Sequence, residues 1–104
     1  MTNTNKFNFE KIQEGTQLTL KLKGHIDTTN ANQFEALLED LEGVTELILD
    51  LQDLVYLSSA GLRVVLLMQR KMNKNGTMKV IHVQPSVMDI FEVTGFVEIL
   101  TIEA

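Results

Sequence analysis

Leu47-Ile48-Leu49-Asp50-Leu51-Gln52-Asp53-Leu54-Val55-Tyr56-Leu57-Ser58-Ser59-Ala60-Gly61-Leu62 changes its hydrophobic period part-way along. The first five residues are almost continuous in apolar side chains, as in a strand covered on both faces. Asp53 and Tyr56 then read as a loop, and Ser58-Ser59 as the approach to a helix. From Ala60 to about Lys74 the apolar residues recur at helical spacing. Leu62, Val65, Leu66, Gln69 and Met72 mark the inner side, widened by Val64, Leu67 and Met68. Arg70, Lys71 and Lys74 suit the negative end of that helix, and Gly76 stops it. A buried strand feeding a helix is the unit of a parallel crossover, so the stretch argues for an α/β layer fold.

The flanking sequence extends the pattern in both directions. Upstream, Phe7 to Gln13 is a strand candidate, and Glu14-Gly15-Thr16 reads as a hairpin turn. Leu18, Leu20 and Leu22 alternate with Thr19, Lys21 and Lys23, which predicts a strand with one wet face. Asn30 and Gln33 fit a variant capping box. Behind them Ala31, Phe34, Leu37, Leu38 and Leu41 form an apolar stripe that ends at Gly43. Downstream, Met78 to Val83 predicts a further buried strand. Ser86 and Asp89 have capping-box spacing before a short helix whose core side is Ile90, Phe91 and Val93. Gly95-Phe96 reads as its C-cap, and Val97 to Ile102 as a last strand. The expected order is β-β-α-β-α-β-α-β, a mixed sheet with a hairpin start, in a single domain over residues 1–104.

Composition narrows the function. The chain has 104 residues and no cysteine, which removes disulfides, thiol catalysis and thiolate metal sites. Its net charge of −5 disfavours phosphate backbones, so direct nucleic-acid binding is not expected. The longest strongly apolar run, Val64 to Met68, is far below the ~20 residues a bilayer needs. The start, Met-Thr-Asn-Thr-Asn-Lys, carries no apolar signal core, so the expected address is the cytoplasm. The acidic surface and the lack of a long apolar stripe predict a monomer.

Catalytic motifs are scarce. His25 and His82 are the only histidines and lack ligand spacing, so no metal site is expected. His82, between Ile81 and Val83, reads as a packed or edge residue of a strand. Ser58 and Ser59 lack a nucleophile elbow, and no phosphate-binding glycine loop is present. Asp27, Asp50 and Asp53 could gather around Mg²⁺ in a small nucleotide-binding or hydrolytic domain using Ser59. Two carboxylates at a strand end more commonly cap loops and helices.

Leu57-Ser58-Ser59-Ala60-Gly61-Leu62 is less ordinary. A serine there serves as an N-cap, bonded to an orphan amide. One cap leaves the second serine unexplained, and Gly61 inside a helix costs about 1 kcal/mol against alanine. The small Ala60-Gly61 pair suggests a first turn open to approach. An exposed hydroxyl at a positive helix end is also a favourable seat for phosphate. Structural cap and regulatory phosphosite both remain open on these grounds.

Residues Leu49 to Arg63 resemble the signature of the STAS domain, nearest to the bacterial anti-sigma factor antagonists. Gly24-His25-Ile26-Asp27-Thr28-Thr29-Asn30 is similar to the family's segment between second strand and first helix. Pro85-Ser86-Val87 through Thr94-Gly95-Phe96 is similar to its closing helix. The resemblance spans nearly the whole chain and implies a STAS fold and a non-enzymatic partner switch. Unphosphorylated, such a protein binds an anti-sigma factor that is also a serine kinase, which frees a sigma factor. Phosphorylation of a serine at the start of the second helix ends binding, and a PP2C-type phosphatase restores it. By register the implied acceptor is Ser59. Many members carry Asp in the preceding slot, where this chain has Ser58. The implied binding face comprises Asp27, Thr28, Thr29, Asn30, Tyr56, Ser58, Ser59, Ala60, Gly61 and Leu62, with no cofactor and no membrane contact. A STAS subunit of another assembly, in lipid transport or stress signalling, is the alternative within the family.

Overall fold

The structure is a computed structural model that describes residues 7–103. Strands β1 (Asn8–Glu14) and β2 (Gln17–Ile26) form the expected antiparallel hairpin around Gly15. Helix α1 (Ala31–Glu35) runs into a 3-10 turn, Ala36–Leu41, and leads to β3 (Glu46–Leu57). Helix α2 (Ser59–Asn75), β4 (Thr77–Ile81), α3 (Pro85–Thr94), a 3-10 turn (Phe96–Glu98) and β5 (Ile102–Glu103) complete the order. The sheet runs β1-β2-β3-β4-β5, and the last three pairings are parallel. This is the expected mixed α/β sheet with a hairpin start.

One sheet face is closed. Leu18, Leu20 and Leu22 of β2, Leu47 and Leu49 of β3, and Met78 and Val80 of β4 are buried. They stand in register across the strands and join Phe34, Leu41, Val65 and Met72 in the core. Thr19, Ile48 and Lys79 share the opposite face and are only half-buried. The apolar run Leu47–Leu51 is therefore covered on one face, not two. Its one buried carboxylate, Asp50, accepts hydrogen bonds from the Gln52 amide (3.1 Å) and pairs with His82 Nδ1 (3.0 Å).

The predicted loop through Asp53 and Tyr56 is strand. Between Lys21 and Lys23, β2 advances two residues while β3 advances from Asp50 to Asp53. Between Gly24 and His25 it advances one while β3 advances from Leu54 to Tyr56. Each extra residue in β3 is a bulge that resets its alternation. Leu51, Leu54 and Leu57 can then all face the core, three residues apart, leaving Gln52, Asp53, Val55 and Tyr56 exposed.

Other boundaries also differ from expectation. The helix before Gly43 is α over Ala31–Glu35 and 3-10 over Ala36–Leu41, with Ala31 and Phe34 buried in the first part and Leu37 and Leu41 in the second. His82 lies just past β4 in a left-handed conformation (φ 58°), which histidine tolerates better than most residues, so it is not a strand residue. In α3 the inner side is Val87 and Phe91, one helical turn apart, with Ile90 half-buried against the core as expected, whereas Val93 points out with 87% of its surface exposed. The Phe96 ring stacks on Phe91 at 6.3 Å, and the 3-10 turn there shortens the last strand to Ile102–Glu103. Gly95 occupies the left-handed C-cap as expected.

Candidate functional site

Parallel strands β2 and β3 end side by side, with Ile26 opposite Leu57. The two segments that follow them form one surface, because the Ser58 N–H donates to the Ile26 carbonyl at 2.8 Å. Both expected parts of the face, Asp27–Asn30 and Tyr56–Leu62, thus meet at the carboxyl edge of the sheet.

The first segment is an Asp-centred turn. Asp27 Oδ1 accepts from the Thr29 hydroxyl (2.6 Å) and the Thr29 N–H (2.9 Å). These bonds, the hydroxyl foremost, hold the Asp27 carboxyl below its ordinary value, aided by the Asn30 amide and nearby His25 and opposed by partial burial. Asn30 does not cap its helix. Its Oδ1 accepts from the Asp27 N–H and its Nδ2 donates to the His25 carbonyl, both at 2.9 Å. That side chain is already spent on clamping the turn to β2, so the Asn30–Gln33 capping box does not form. Thr28 and Thr29 are left exposed.

The second segment separates the two serines. Ser58 is the N-cap of α2: its Oγ accepts from the Gly61 N–H at 3.3 Å, and the residue is only 8% exposed. Ser59 is the first helical residue and is exposed. Among the described residues no side-chain hydrogen bond involves it. The cap is thus Ser58, and the accessible hydroxyl at the positive end of a 17-residue helix is Ser59.

Gly61 turns inward rather than leaving the first turn open. A Cβ there would lie 2.5 Å from Leu57 Cδ1 and 2.8 Å from Ile26 Cγ2. The missing side chain lets α2 start close against the ends of β2 and β3. Leu62 is buried beside it and Ala60 is half-buried against the core. These three set the position of Ser59, whereas Thr28, Thr29, Tyr56 and Ser59 supply outward-facing groups. An exposed ion pair, Arg63 to Glu35 at 3.2 Å, joins the second turn of α2 to the end of α1.

Two neighbours of this surface were not expected from the residues. The His25 ring lies 5.9 Å from Tyr56, a cross-strand pair, and Val55 is exposed beside it. Both positions depend on the second bulge of β3, which no alternation in the sequence announces. Asp50 and Asp27 are engaged separately, by His82 and Thr29. Among the described residues no three histidine or carboxylate side chains stand at metal-binding spacing.

The STAS domain family model matches residues 8–104. The chain belongs to the STAS family. BtrV of Bordetella bronchiseptica, which bears the name of an anti-sigma factor antagonist, is 38% identical over 84 residues, 78% of this STAS chain and 72% of its own. That likeness places the chain among the anti-sigma factor antagonists of the family. An anti-sigma factor antagonist from Mycobacterium paratuberculosis superposes with a TM-score of 0.86 at 17% identity, covering 98% of this chain and 89% of that one. Unphosphorylated SpoIIAA gives 0.77 at 20% identity over 95% and 89%, and the phosphorylated Bacillus form gives 0.70 at 19% over 95% and 92%. These structures share the STAS fold. Among the described residues no helix is long and apolar enough to cross a membrane.

Proposed function

We propose that this STAS domain is a non-catalytic partner switch: unphosphorylated, it binds an anti-sigma factor that is also a serine kinase, and phosphorylation of Ser59 releases it. The observation that carries the reading is the division of labour between the serines. Ser58 is buried and bonded to Gly61, while Ser59 is exposed at the helix start. The binding surface is carried by Asp27–Asn30 together with Tyr56–Leu62, with Thr28, Thr29, Tyr56 and Ser59 as the outward-facing groups. In the transfer, the Ser59 oxygen bonds the γ-phosphorus of ATP and yields its proton to a carboxylate base of the kinase, the bond from that phosphorus to the β,γ-bridging oxygen breaks, and ADP leaves. The product carries about −1.5 to −2 charges at pH 7. The isolated domain tolerates these beside the first amides of α2. A partner packed on the same surface would have to desolvate them, which opposes binding. A PP2C-type phosphatase resets the switch. The protein acts as a cytoplasmic monomer and needs no cofactor.

Affinity for a purified anti-sigma factor kinase from the same cell tests the reading. Ser59→Ala should bind like the unmodified chain and stay bound with ATP present. Ser59→Asp should bind about tenfold more weakly or worse. Equal affinity of Ser59→Asp and the unmodified chain would contradict it.

A further inference from the structure

We propose that the corner formed by the end of α3 and the following 3-10 turn is a second docking surface, one that receives a basic amphipathic helix of another protein. Three apolar side chains are exposed there within seven residues: Val93 (87%), Val97 (37%) and Ile99 (46%). The chain is held tightly around them. Gly95 N–H donates to the Glu92 carbonyl, Glu98 N–H to Gly95 and Ile99 N–H to Phe96, while the Phe96 ring folds back on Phe91. The apolar groups therefore sit on a firm base. Val93 contributes little to the fold, since it is almost fully exposed and is a poor helix former.

Charge identifies the occupant. From Ile81 to the end, the sequence holds four carboxylates and neither lysine nor arginine, in a chain of net charge −5. Glu103 pairs with Lys79 at 3.7 Å. Asp89, Glu92 and Glu98 are exposed, and no ion pair among the described residues involves them. Asp89, Glu92 and Val93 are spaced i, i+3, i+4, which puts them on one face of α3. Exposed Val93, Val97 and Ile99 are interspersed along the chain with Asp89, Glu92 and Glu98, and the complement of such a segment is an apolar stripe flanked by lysine or arginine. Anionic membranes and nucleic acids carry the wrong sign for it. The surface is distinct from the Ser59 face. The Ser86 hydroxyl, near the start of α3, donates to the Val55 carbonyl next to that face, and the corner lies at the far end of the helix, about 15 Å away. A second partner could dock there whatever the state of Ser59.

The test uses the full chain labelled with ¹⁵N and a synthetic Leu/Lys amphipathic helix of about 18 residues. A matched Leu/Glu helix serves as control. At low salt the Leu/Lys peptide should shift amides of residues 89–99, and the control should not. Val93→Ser with Glu92→Gln should weaken binding about tenfold while leaving the melting temperature unchanged. Val97→Ser, tested alone, should weaken it less. Shifts scattered over every acidic residue, or undiminished affinity of the double variant, would overturn the proposal. So would salt-sensitive dimerisation of the chain alone through Arg70 and Lys74 of α2, since the occupant would then be a second copy. Binding of the chain to phosphatidylcholine vesicles in place of the peptide would overturn it too.

Discussion

Two helices begin beside the bulged half of β3, each has a serine in its opening residues, and the serines do opposite things. At α2, the Ser58 oxygen accepts from the helix's own Gly61 amide. At α3, the Ser86 hydroxyl instead donates to the Val55 carbonyl of β3, and the Gln84 amide side chain donates to the Gln52 carbonyl. Pro85 at the first turn of α3 removes one amide that would need a partner. β4 pairs with β3 only as far as Asp50, so the carbonyls beyond it lack a neighbouring strand on that side. The role of a serine at a helix start is set by which orphan backbone group is within reach. One start is closed on itself and presents Ser59. The other is used to tie down the strand that carries Tyr56.

The sharpest way to break this contrast is to fill Gly61. Gly61→Val should lower stability by about 3 kcal/mol, because its side chain would enter space held by Leu57 and Ile26. Thermal or urea unfolding checks it, and an unchanged midpoint would mean that α2 does not start against the strands. Ser58→Ala comes next, at about 1 kcal/mol, the usual worth of an N-cap, with the Gly61 amide left unpaired. Ser86→Ala should cost only about 0.5 kcal/mol, since the Val55 carbonyl can turn to water. If the two serine variants lost equal stability, the difference between the helix starts would not hold.

What was readable in the sequence follows the same physics. Leu18, Leu20 and Leu22 alternate cleanly, and α2 keeps one helical period from Leu62 to Met72, so both are legible, except that Leu66 and Leu67 are only half-buried while Val64 and Met68 lie fully on the inner side. The far half of β3 was not, because two bulges turn the alternation of Leu51, Leu54 and Leu57 into a three-residue spacing. Spacing alone suggests capping boxes at Asn30 and Ser86. Both side chains found backbone partners in β2 and β3 instead, which only the tertiary fold supplies. The serine pair was legible as a cap plus a spare hydroxyl. That Gly61 faces the core was not, since its reason lies in Ile26, far away in sequence.

A smaller effect concerns the turn beside Ser59. The Asp27 carboxyl is held below its ordinary 3.8 by Thr29, so its contribution to loop order is present above that value and is lost as pH falls through the lower folded one. Carboxyl NMR titration should find the Asp27 midpoint under 3.8, and Thr29→Val should move it upward. An unmoved midpoint in Thr29→Val would show that the hydroxyl does not set it. Smallest of all, Ser59→Ala should leave stability within about 0.5 kcal/mol, as expected of an exposed side chain away from special features.

The most direct measurement is phosphopeptide mapping by mass spectrometry after incubation with the anti-sigma factor kinase and ATP. One phosphate is expected, on Ser59, and none in the Ser59→Ala protein. Phosphate on Ser58, Thr28 or Thr29, or no phosphate with an active kinase, would contradict it.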